Sequence, residues 1–375
     1  MEDLKKALEE ATLPVLPKRK DFAIGCIGAG FIMNDCHLVA YRNAGFNPAA
    51  INSLAAEERE AVAKRHGIGK VYDTWQKLVD DPAIEILDIA VPPDVQLEVV
   101  RYAVTKKHIK GIQCQKPVAM SLPEAREIAR LGKDAGIPIA VNSNMRCDQS
   151  MRALKCALDR GLLGKPVLAT IEMRAIPHWQ EFLRKYPLLE IYSMGIHHVD
   201  IFRYLFGDPE KITAVCRTDP RTTFPHRDGI VQFTFQYGDG MMATSLDDVW
   251  AWPNEPCEKD IYIKWRVEGL EGMASGTIGW PVYPAREPST LRLTTKQAKG
   301  WIAPKWDTVW FPDAFAGTMA GLLRAVETGG TPEISAGDNL KTIGCVEACY
   351  ASIREERTVT LKEIMEKEEH FPKLG

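Results

Sequence analysis

The chain has 375 residues, of which 45% are hydrophobic and 26% are charged. That length and composition suit about two folded domains and exclude a disordered chain, a collagen-like fibre and a small disulfide scaffold. Lysine and arginine number 47 against 50 acidic residues, a net charge of −3, so the chain has no basic excess for binding nucleic acid.

Residues 1–20 form a predicted N-terminal extension with a short amphipathic helix and a proline-bearing linker. From residue 21 short apolar strands alternate with helices, which is typical of a parallel sheet covered on both faces. The predicted strands lie at 22–27, 49–52, 86–91, 109–114 and 137–141, and the intervening helices at 31–43, 57–66, 74–79, 94–106 and 122–135. Residues 21–141 are therefore predicted to form an α/β Rossmann domain with a doubly wound parallel sheet.

From residue 142 the pattern changes to longer strands with alternating apolar residues. Strands are predicted at 167–175, 211–217, 228–236, 241–249, 259–268 and 272–278, with helices at 149–160, 195–206, 313–328 and 337–355. Residues 142–375 are thus predicted to form an α+β domain with a large, open-faced, mainly antiparallel sheet that serves substrate binding and oligomerisation. Because a one-sided sheet exposes a face that must be covered, we expect a homodimer or homotetramer built on it.

Other features bear on the location of the protein. No apolar run reaches the roughly 18 residues of a membrane helix. Residues 1–20 lack the apolar stretch of a secretory signal, and the nine cysteines form no CxxC pair, which is typical of reduced thiols. These features predict a cytoplasmic protein that binds no membrane, and no metal-ligand set is recognised.

A glycine turn follows the first strand. Gly28 permits the tight turn, and Gly30 lets the backbone approach a pyrophosphate at the start of a helix, although Met33 stands where a third glycine is usual. The second strand ends at Ser53, with neither a carboxylate nor an arginine directly beside it. A serine hydroxyl can bind a ribose hydroxyl or a 2′-phosphate, so the sequence favours NAD and leaves NADP open.

Two further motifs are Cys114-Gln-Lys-Pro117, after the fifth Rossmann strand, and Gly195-Ile-His-His198, which opens a helix. With the glycine turn and Val91-Pro-Pro93, they make the chain resemble the glucose–fructose oxidoreductase/inositol dehydrogenase/MocA family over nearly its whole length after residue 20. The resemblance implies NAD(P)-dependent oxidation of sugars and cyclitols. The positions that would contact the cofactor are Gly28, Gly30, Phe31, Ile32, Ser53, Pro92, Gln115 and Lys116.

The resemblance also implies two catalytic residues. Lys116 is expected beside the nicotinamide, where its ammonium group can stabilise a developing alkoxide, although Gln115 replaces the glutamate of the usual Glu-Lys-Pro motif. His197 is expected to accept the hydroxyl proton as a general base, in the first turn of a helix that begins near Gly195, with Asp200 orienting it. His198 is expected to serve packing or a subunit contact.

Substrate contacts are predicted in the second domain and at its start. The candidates are Arg146, Arg174, His178, Trp179, Ser193 and His197. Trp179 can stack on a sugar ring, and Ser193 stands where the family carries an aspartate. Arginine forks suit carboxylates and sulfonates, so an anionic pyranoside enters the hypothesis.

The leading hypothesis is an NAD(P)-dependent oxidoreductase acting on a secondary hydroxyl of a sugar, sugar acid or cyclitol. One alternative is a glycoside hydrolase that uses NAD transiently: it oxidises C3, eliminates the aglycone, adds water and reduces the ring again. Another is a non-catalytic sugar or dinucleotide sensor, against which the presence of Lys116 and His197 argues. A small sugar or glycoside is the expected partner in each case.

Overall fold

A computed structural model describes residues 2–175, 181–188, 190–222, 224–249, 261–279 and 287–367. The chain forms two compact units, one from residues 14–144 and 311–340, the other from residues up to 13, 145–310 and 341 onward. None of the helices in these ranges is both long and apolar enough to cross a membrane.

The elements follow the alternation that the sequence predicts. The α-helices are α1 (Glu2–Glu10), α2 (Leu38–Ala44), α3 (Ala56–His66), α4 (Trp75–Asp80), α5 (Pro93–Ala103), α6 (Leu122–Ala135), α7 (Gln149–Asp159), α8 (Ile196–Phe206), α9 (Phe315–Thr328), α10 (Ala336–Glu355) and α11 (Leu361–Glu366). The strands are β1 (Ala23–Ile27), β2 (Asn47–Asn52), β3 (Lys70–Tyr72), β4 (Ile86–Ile89), β5 (Gly111–Gln115), β6 (Ile139–Asn142), β7 (Pro166–Arg174), β8 (Lys211–Arg217), β9 (Ile230–Gln236), β10 (Met242–Asp248), β11 (Tyr262–Gly269), β12 (Gly272–Ile278), β13 (Thr290–Thr295) and β14 (Val359–Thr360).

Helix starts are fixed by side chains that satisfy free backbone N–H groups. The Thr74 hydroxyl accepts a hydrogen bond from the Lys77 N–H at the start of α4, and the Ser121 hydroxyl accepts one from the Glu124 N–H at the start of α6. Such caps usually contribute about 1 kcal/mol each. Both caps lie at the starts of helices that the sequence predicts, at 74–79 and 122–135.

Two helices begin with a π-turn. Ile32–His37 is π-helical and continues into α2, and Ile191–Gly195 is π-helical and continues into α8. A π-turn holds one residue more than an α-turn, and such turns occur often at functional sites. Here the first π-turn contains the candidate site residue Ile32, and the second contains Ser193 and leads into α8, which carries His197.

The six-stranded sheet is parallel in every pair, in the order β3-β2-β1-β4-β5-β6. Its strands β1, β4, β5 and β6 are almost wholly buried, as expected when helices cover both faces, whereas β2 and β3 at one edge are partly exposed. The order reverses between β1 and β4, and in such sheets ligands bind at the carboxyl ends of the strands beside this switch point. The Rossmann half of the predicted fold is thereby confirmed.

Residues 311–340 belong to the same compact unit as this sheet. Helix α9 packs on β5 so closely that a Cβ on Gly111 would stand 2.8 Å from Val326 Cγ2 and 3.2 Å from Leu322 Cδ1. The sequence-based division instead placed these residues with 142–375, because they follow the second sheet in the chain. The domain boundaries at 20/21 and 141/142 stay a prediction.

The eight-stranded sheet has the order β13-β12-β11-β7-β10-β9-β8-β14 and is antiparallel except between β10 and β7. On its covered face the Phe202 ring of α8 packs against Phe233 and Phe235 of β9, with ring centroids 6.3 and 5.9 Å away. The other face leaves Leu168 and Met242 exposed, at register positions opposite each other. This arrangement confirms the predicted open-faced, mainly antiparallel sheet.

Candidate active site

The glycine turn after β1 leaves room for a ligand. Gly28 has φ +105°, and a Cβ on it would stand 2.3 Å from the Ala90 carbonyl oxygen, so no other residue fits there. A Cβ on Gly30 would meet nothing within 4 Å. The backbone at residue 30 therefore faces open space where a helical segment begins, with Phe31 and Ile32 half-buried beside it. A pyrophosphate fits such a turn.

The other predicted cofactor residues follow neighbouring strands. Ile27 aligns with Asn52 of β2 and Ile89 of β4, and Ile89 aligns with Cys114 of β5. The residues just beyond these positions, Ser53, Pro92, Gln115 and Lys116, therefore share the carboxyl edge of the sheet with the glycine turn. Their contact with a cofactor stays a prediction.

Ser53 has an acidic neighbour that sequence reasoning missed. Its hydroxyl donates to Glu58 Oε2 at 3.0 Å, and Arg59 Nη1 donates to the Ser53 carbonyl oxygen at 3.1 Å. Glu58 lies in the first turn of α3, and its side chain reaches back to Ser53 just after β2. A search for an acidic residue directly after the strand therefore overlooks it. A carboxylate there suits a ribose hydroxyl better than a 2′-phosphate.

Behind Gln115 lies a buried polar network that was also missed. Gln115 Oε1 accepts from the Lys116 backbone N–H at 2.8 Å, and Gln115 Nε2 lies 3.3 Å from His37 Nε2. His37 Nδ1 is 2.7 Å from Asp88 Oδ2. His37 and Asp88 are both fully buried. The available signal was Asp88 itself, the one charged residue in the otherwise apolar strand β4.

In the other unit, His197 is buried, at 3% exposure, and packs edge-on against Trp310 with ring centroids 5.5 Å apart. The sequence places His197 in the first turn of a helix that begins near Gly195, and α8 does begin at Ile196, but a π-turn precedes it. The helical segment begins at residue 190 and runs through the π-turn, so His197 lies more than one turn inside it. The effect of a helix dipole falls off within the first turn.

Asp200 does not orient His197. Arg146 Nε donates to Asp200 Oδ2 and Arg146 Nη2 to Asp200 Oδ1, both at 2.6 Å, and the Thr342 hydroxyl donates to Oδ1 at 2.7 Å. The two charged side chains are nearly inaccessible, at 6% and 2% exposure. Arg146 thus forms a buried ion pair.

Arg174 also faces carboxylates. Its Nη2 lies 3.3 Å from Glu172 Oε1, and its Nε lies 3.8 Å from Asp248 Oδ2. Ser193 is half-buried in the second π-turn. His178 and Trp179, the other predicted substrate contacts, lie outside the described residues. The roles of all predicted site residues stay predictions.

Three buried carboxyl groups lie below the start of α8: those of Glu190, Asp228 and Asp247. Burial and the negative charges of Asp247 and Asp228 raise the pKa of Glu190 well above its usual value. The Glu190 carboxyl packs tightly against the π-turn at Gly195. A Cβ on Gly195 would stand 2.6 Å from Glu190 Oε2.

His198 belongs to the same region, with Nδ1 2.9 Å from Asp247 Oδ1 and no exposed surface. Its position agrees with the packing role expected of it. Within the ranges that the structure describes, no three His, Cys, Asp or Glu side chains are grouped so as to hold a metal ion.

Comparison with known proteins gives matches to both parts of the chain. Residues 22–143 match the GFO_IDH_MocA model, described as an oxidoreductase family with an NAD-binding Rossmann fold, and residues 151–275 match the GFO/IDH/MocA C-terminal domain. D-apiose dehydrogenase of Paraburkholderia graminis is 26% identical over 350 residues, covering 92% of this chain and 91% of its own.

Solved structures share the fold. An oxidoreductase from Agrobacterium radiobacter, in complex with NAD+, L-tartaric acid and magnesium, has a TM-score of 0.78 and 23% identity, covering 92% of this chain and 99% of its own. Levoglucosan dehydrogenase, in complex with NADH and levoglucosan, has a TM-score of 0.77 and 20% identity, covering 91% of this chain and 99% of its own.

Proposed function

The chain belongs to the GFO/IDH/MocA family of oxidoreductases, and from that premise we propose that it is an NAD-dependent dehydrogenase that oxidises a secondary hydroxyl of a neutral sugar or cyclitol. The observation that carries the proposal is the open space at Gly30, on the sheet edge that also bears Gln115 and Lys116. A dinucleotide on this edge has a lysine beside it. Bound NAD supplies the hydride acceptor.

Two side chains are assigned to the hydroxyl that reacts. The Lys116 ammonium donates a hydrogen bond to the substrate oxygen and stabilises the negative charge that grows on it as the carbon loses hydride. His197 takes the hydroxyl proton, so the carbinol loses one hydride and one proton and becomes a carbonyl. The Trp310 ring packs against the His197 imidazole and restricts its rotation.

A neutral substrate is favoured over an anionic one. Arginine residues suggested a carboxylated or sulfonated sugar, but Arg146 is bound to Asp200 and Arg174 faces Glu172 and Asp248. Arg221, further along the chain, is bound to Asp219 and Asp248 at 2.8 and 2.9 Å. The carboxylates beside these guanidinium groups offset their positive charge and would repel a substrate anion. One relative is named D-apiose dehydrogenase. D-apiose, a neutral pentose, is therefore the first compound to test.

The test is incubation of the purified protein with NAD and a panel of D-apiose, levoglucosan, myo-inositol, glucuronate and aryl glycosides. We expect NADH to form in proportion to a neutral substrate consumed. Aglycone release without net NADH would replace the proposal with the redox-neutral glycosidase. NADH binding with neither reaction would replace it with a sensor.

Variants then test the two roles. Removal of a general base costs on the order of 10²–10⁴ in rate, so we expect His197→Ala to lose that much kcat while NADH still binds. Lys116→Ala should lose both rate and substrate affinity. His198→Ala, one residue away in the same helix, should lower the melting temperature more than kcat, because His198 is buried against Asp247.

A further inference from the structure

His37, which is fully buried in the Rossmann unit, has a defined partner at each ring nitrogen. On one side His37 Nδ1 faces Asp88 Oδ2 at 2.7 Å. On the other side His37 Nε2 faces Asn142 Nδ2 at 2.9 Å and Gln115 Nε2 at 3.3 Å. The groups that share His37 come from separate strands, so the imidazole links β4, β5 and β6 beneath the edge of the sheet.

The amide partners fix the protonation state of the ring. Asn142 Oδ1 accepts from the Thr318 hydroxyl at 2.8 Å, which turns the Asn142 amino group toward His37. Gln115 Oε1 accepts from the Lys116 N–H, which turns the Gln115 amino group toward the same nitrogen. Because an amide NH₂ only donates, Nε2 must be the acceptor and the ring proton must lie on Nδ1. His37 is therefore neutral, with its N–H directed at Asp88.

The surroundings of the pair are consistent with a neutral imidazole beside one carboxylate. Tyr41 from α2 donates to Asp88 Oδ2 at 2.7 Å, and Gln113 of β5 donates to Asp88 Oδ1 at 3.2 Å. Burial and the Asp88 charge raise the pKa of Tyr41 and of the thiols of Cys26 and Cys114, so these groups stay uncharged. From α9 the Phe315 ring packs 5.1 Å from the imidazole.

We propose that His37 is a positioning residue for Lys116, acting through Gln115. The imidazole nitrogen holds the Gln115 amide in one orientation, and the amide oxygen of Gln115 holds the Lys116 backbone N–H. The lysine side chain thus leaves the sheet edge in a fixed direction. The inference rests on the proposed role of Lys116 in catalysis.

Gln115 and His37 form a matched pair in this arrangement. A glutamate at residue 115, as in the usual Glu-Lys-Pro motif, would set a carboxylate against His37 Nε2 and draw a second proton onto the ring. The Gln115→Glu variant should therefore carry an imidazolium between two carboxylates. The wild-type chain keeps the ring neutral because residue 115 presents an amide donor.

Two substitutions of His37 separate positioning from stability. In His37→Gln the amide oxygen can occupy the Nε2 position and accept from Gln115, but the N–H directed at Asp88 is lost. In His37→Asn the amide nitrogen can occupy the Nδ1 position and donate to Asp88, but the acceptor for Gln115 is lost. The two variants thus each remove one arm of the same side chain.

The kinetic arm of the test uses the substrate found in the panel. Since a 1 Å misplacement can cost about a hundredfold in rate, we expect His37→Asn to lose at least about tenfold in kcat and His37→Gln to stay within about threefold. Melting temperatures should rank in the opposite order, with His37→Gln lower. A purely structural role predicts instead that kcat follows the melting temperature.

A second arm needs no substrate. The Lys116 backbone amide gives a ¹H–¹⁵N signal that Lys116→Arg identifies, and we expect His37→Asn to move this signal strongly and His37→Gln to move it little. Imidazole ¹⁵N spectra, in which His37→Asn identifies one of the eight histidines, should show a neutral ring in the wild type and a doubly protonated ring in Gln115→Glu.

The two arms keep the inference apart from the proposed function. If the wild type oxidises no sugar, the proposed function fails and the Lys116 amide signal decides whether His37 positions that residue. An unmoved Lys116 signal in His37→Asn, or a kcat in His37→Asn equal to that of His37→Gln, overturns the inference. So does a doubly protonated His37 in the wild type at neutral pH.

Discussion

Arg146 and Asp200 face each other as a guanidinium fork on a carboxylate, with Nε–Oδ2 and Nη2–Oδ1 distances both 2.6 Å. The pair is buried, so its arginine is part of the structure of its unit. Helical spacing predicts that the Asp200 carboxylate orients His197, but this carboxylate is bound by Arg146 instead. Which carboxylate faces which cation is decided by chain segments 54 residues apart, not by neighbours along a helix.

This pair makes the first prediction. Arg146→Ala leaves a buried carboxylate without its cation and should lower the free energy of unfolding by about 3–5 kcal/mol. Urea unfolding measures the loss. The control is Arg130→Ala, which breaks the exposed Arg130–Asp134 pair and should cost less than about 1 kcal/mol. The prediction is contradicted if Arg146→Ala has normal stability and its binding is weakened for acidic sugars alone. Arg146 would then be a substrate ligand.

The second prediction concerns the two glycines of the turn. Gly30→Val should fold normally, since its Cβ meets nothing within 4 Å, but should bind NADH weakly because the side chain fills the space beside the backbone. Gly28→Ala should lower the melting temperature, because its Cβ would lie 2.3 Å from the Ala90 oxygen. Melting curves and fluorescence titration with NADH separate the two effects. Wild-type NADH affinity in Gly30→Val would show that the pyrophosphate binds elsewhere.

The third prediction concerns Glu58. The carboxylate beside Ser53 should repel a 2′-phosphate, and Glu58→Arg should replace the repulsion with attraction. The relative binding free energy should shift toward NADPH by about 1 kcal/mol, the upper range for one exposed charge pair. Titration of both reduced cofactors measures the shift, with Glu57→Arg, on the same helical turn, as the matched control. An equal shift in both variants would indicate a general field effect rather than a contact.

The fourth prediction concerns pH. Burial beside Asp247 and Asp228 raises the pKa of Glu190 in the folded protein, so folding retains a proton that the unfolded chain releases above pH of about 4.3. The contribution of Glu190 to the free energy of unfolding is complete below that pH. It falls as the pH rises toward the pKa of Glu190 in the folded protein. Glu190→Gln should therefore flatten the decline in unfolding free energy between pH 5 and 8. A decline as steep as that of the wild type would place the cause in other groups.

Asp81 provides the contrast for that experiment. Burial opposes its ionisation, but hydrogen bonds from Lys70 and Tyr72 outweigh burial and lower the pKa of Asp81 to about 2. The contribution of Asp81 to the free energy of unfolding is present above the pKa of this group in the unfolded chain. It is lost as the pH falls through the folded-state pKa of about 2. Asp81→Asn should thus destabilise the protein at neutral pH, with a penalty that shrinks below pH of about 4.

The fifth prediction concerns assembly on the open face of the eight-stranded sheet. Leu168 and Met242 are 37% and 42% exposed and lie opposite each other in the β7–β10 register. We expect light scattering at micromolar concentration to give two or four times the chain mass of 41.9 kDa, and Met242→Arg to give a monomer. Leu270→Arg, at an exposed leucine of a hairpin turn, is the control. A monomeric wild type would contradict the expectation.

Secondary structure was predictable where local signals agree with burial. Strands such as β1 and β4 are largely apolar because helices cover both sheet faces, and the hydroxyls of Thr74 and Ser121 indicate where the helices that they cap begin. The sequence reading missed β13, although Leu291 and Leu293 alternate with exposed polar residues in it. The alternation covers only residues 290–293, at the lower limit of the run that indicates a strand.

The candidate site was predictable in its backbone and not in its side-chain partners. The glycine turn and the Lys116 motif follow directly on strands, so their place at the sheet edge follows from the order of the elements. His37 and Asp88 are 51 residues apart, and only the pairing of β1 with β4 brings the helix after one strand over the side chain of the other. No spacing rule within a helix or strand contains that contact.

The π-helix at Ile32–His37 has a consequence for the evolution of chain length. One extra residue in a regular helix would turn everything after it by about 100° about the helix axis and carry His37 and Tyr41 away from Asp88. The wider turn accommodates that residue within one loop of the helix, so α2 keeps the same side toward the sheet. A homologue with an ordinary α-helix here would be one residue shorter between the glycine turn and its equivalent of His37. The π-turn can thus absorb a length difference of one residue while His37 and Tyr41 keep facing Asp88.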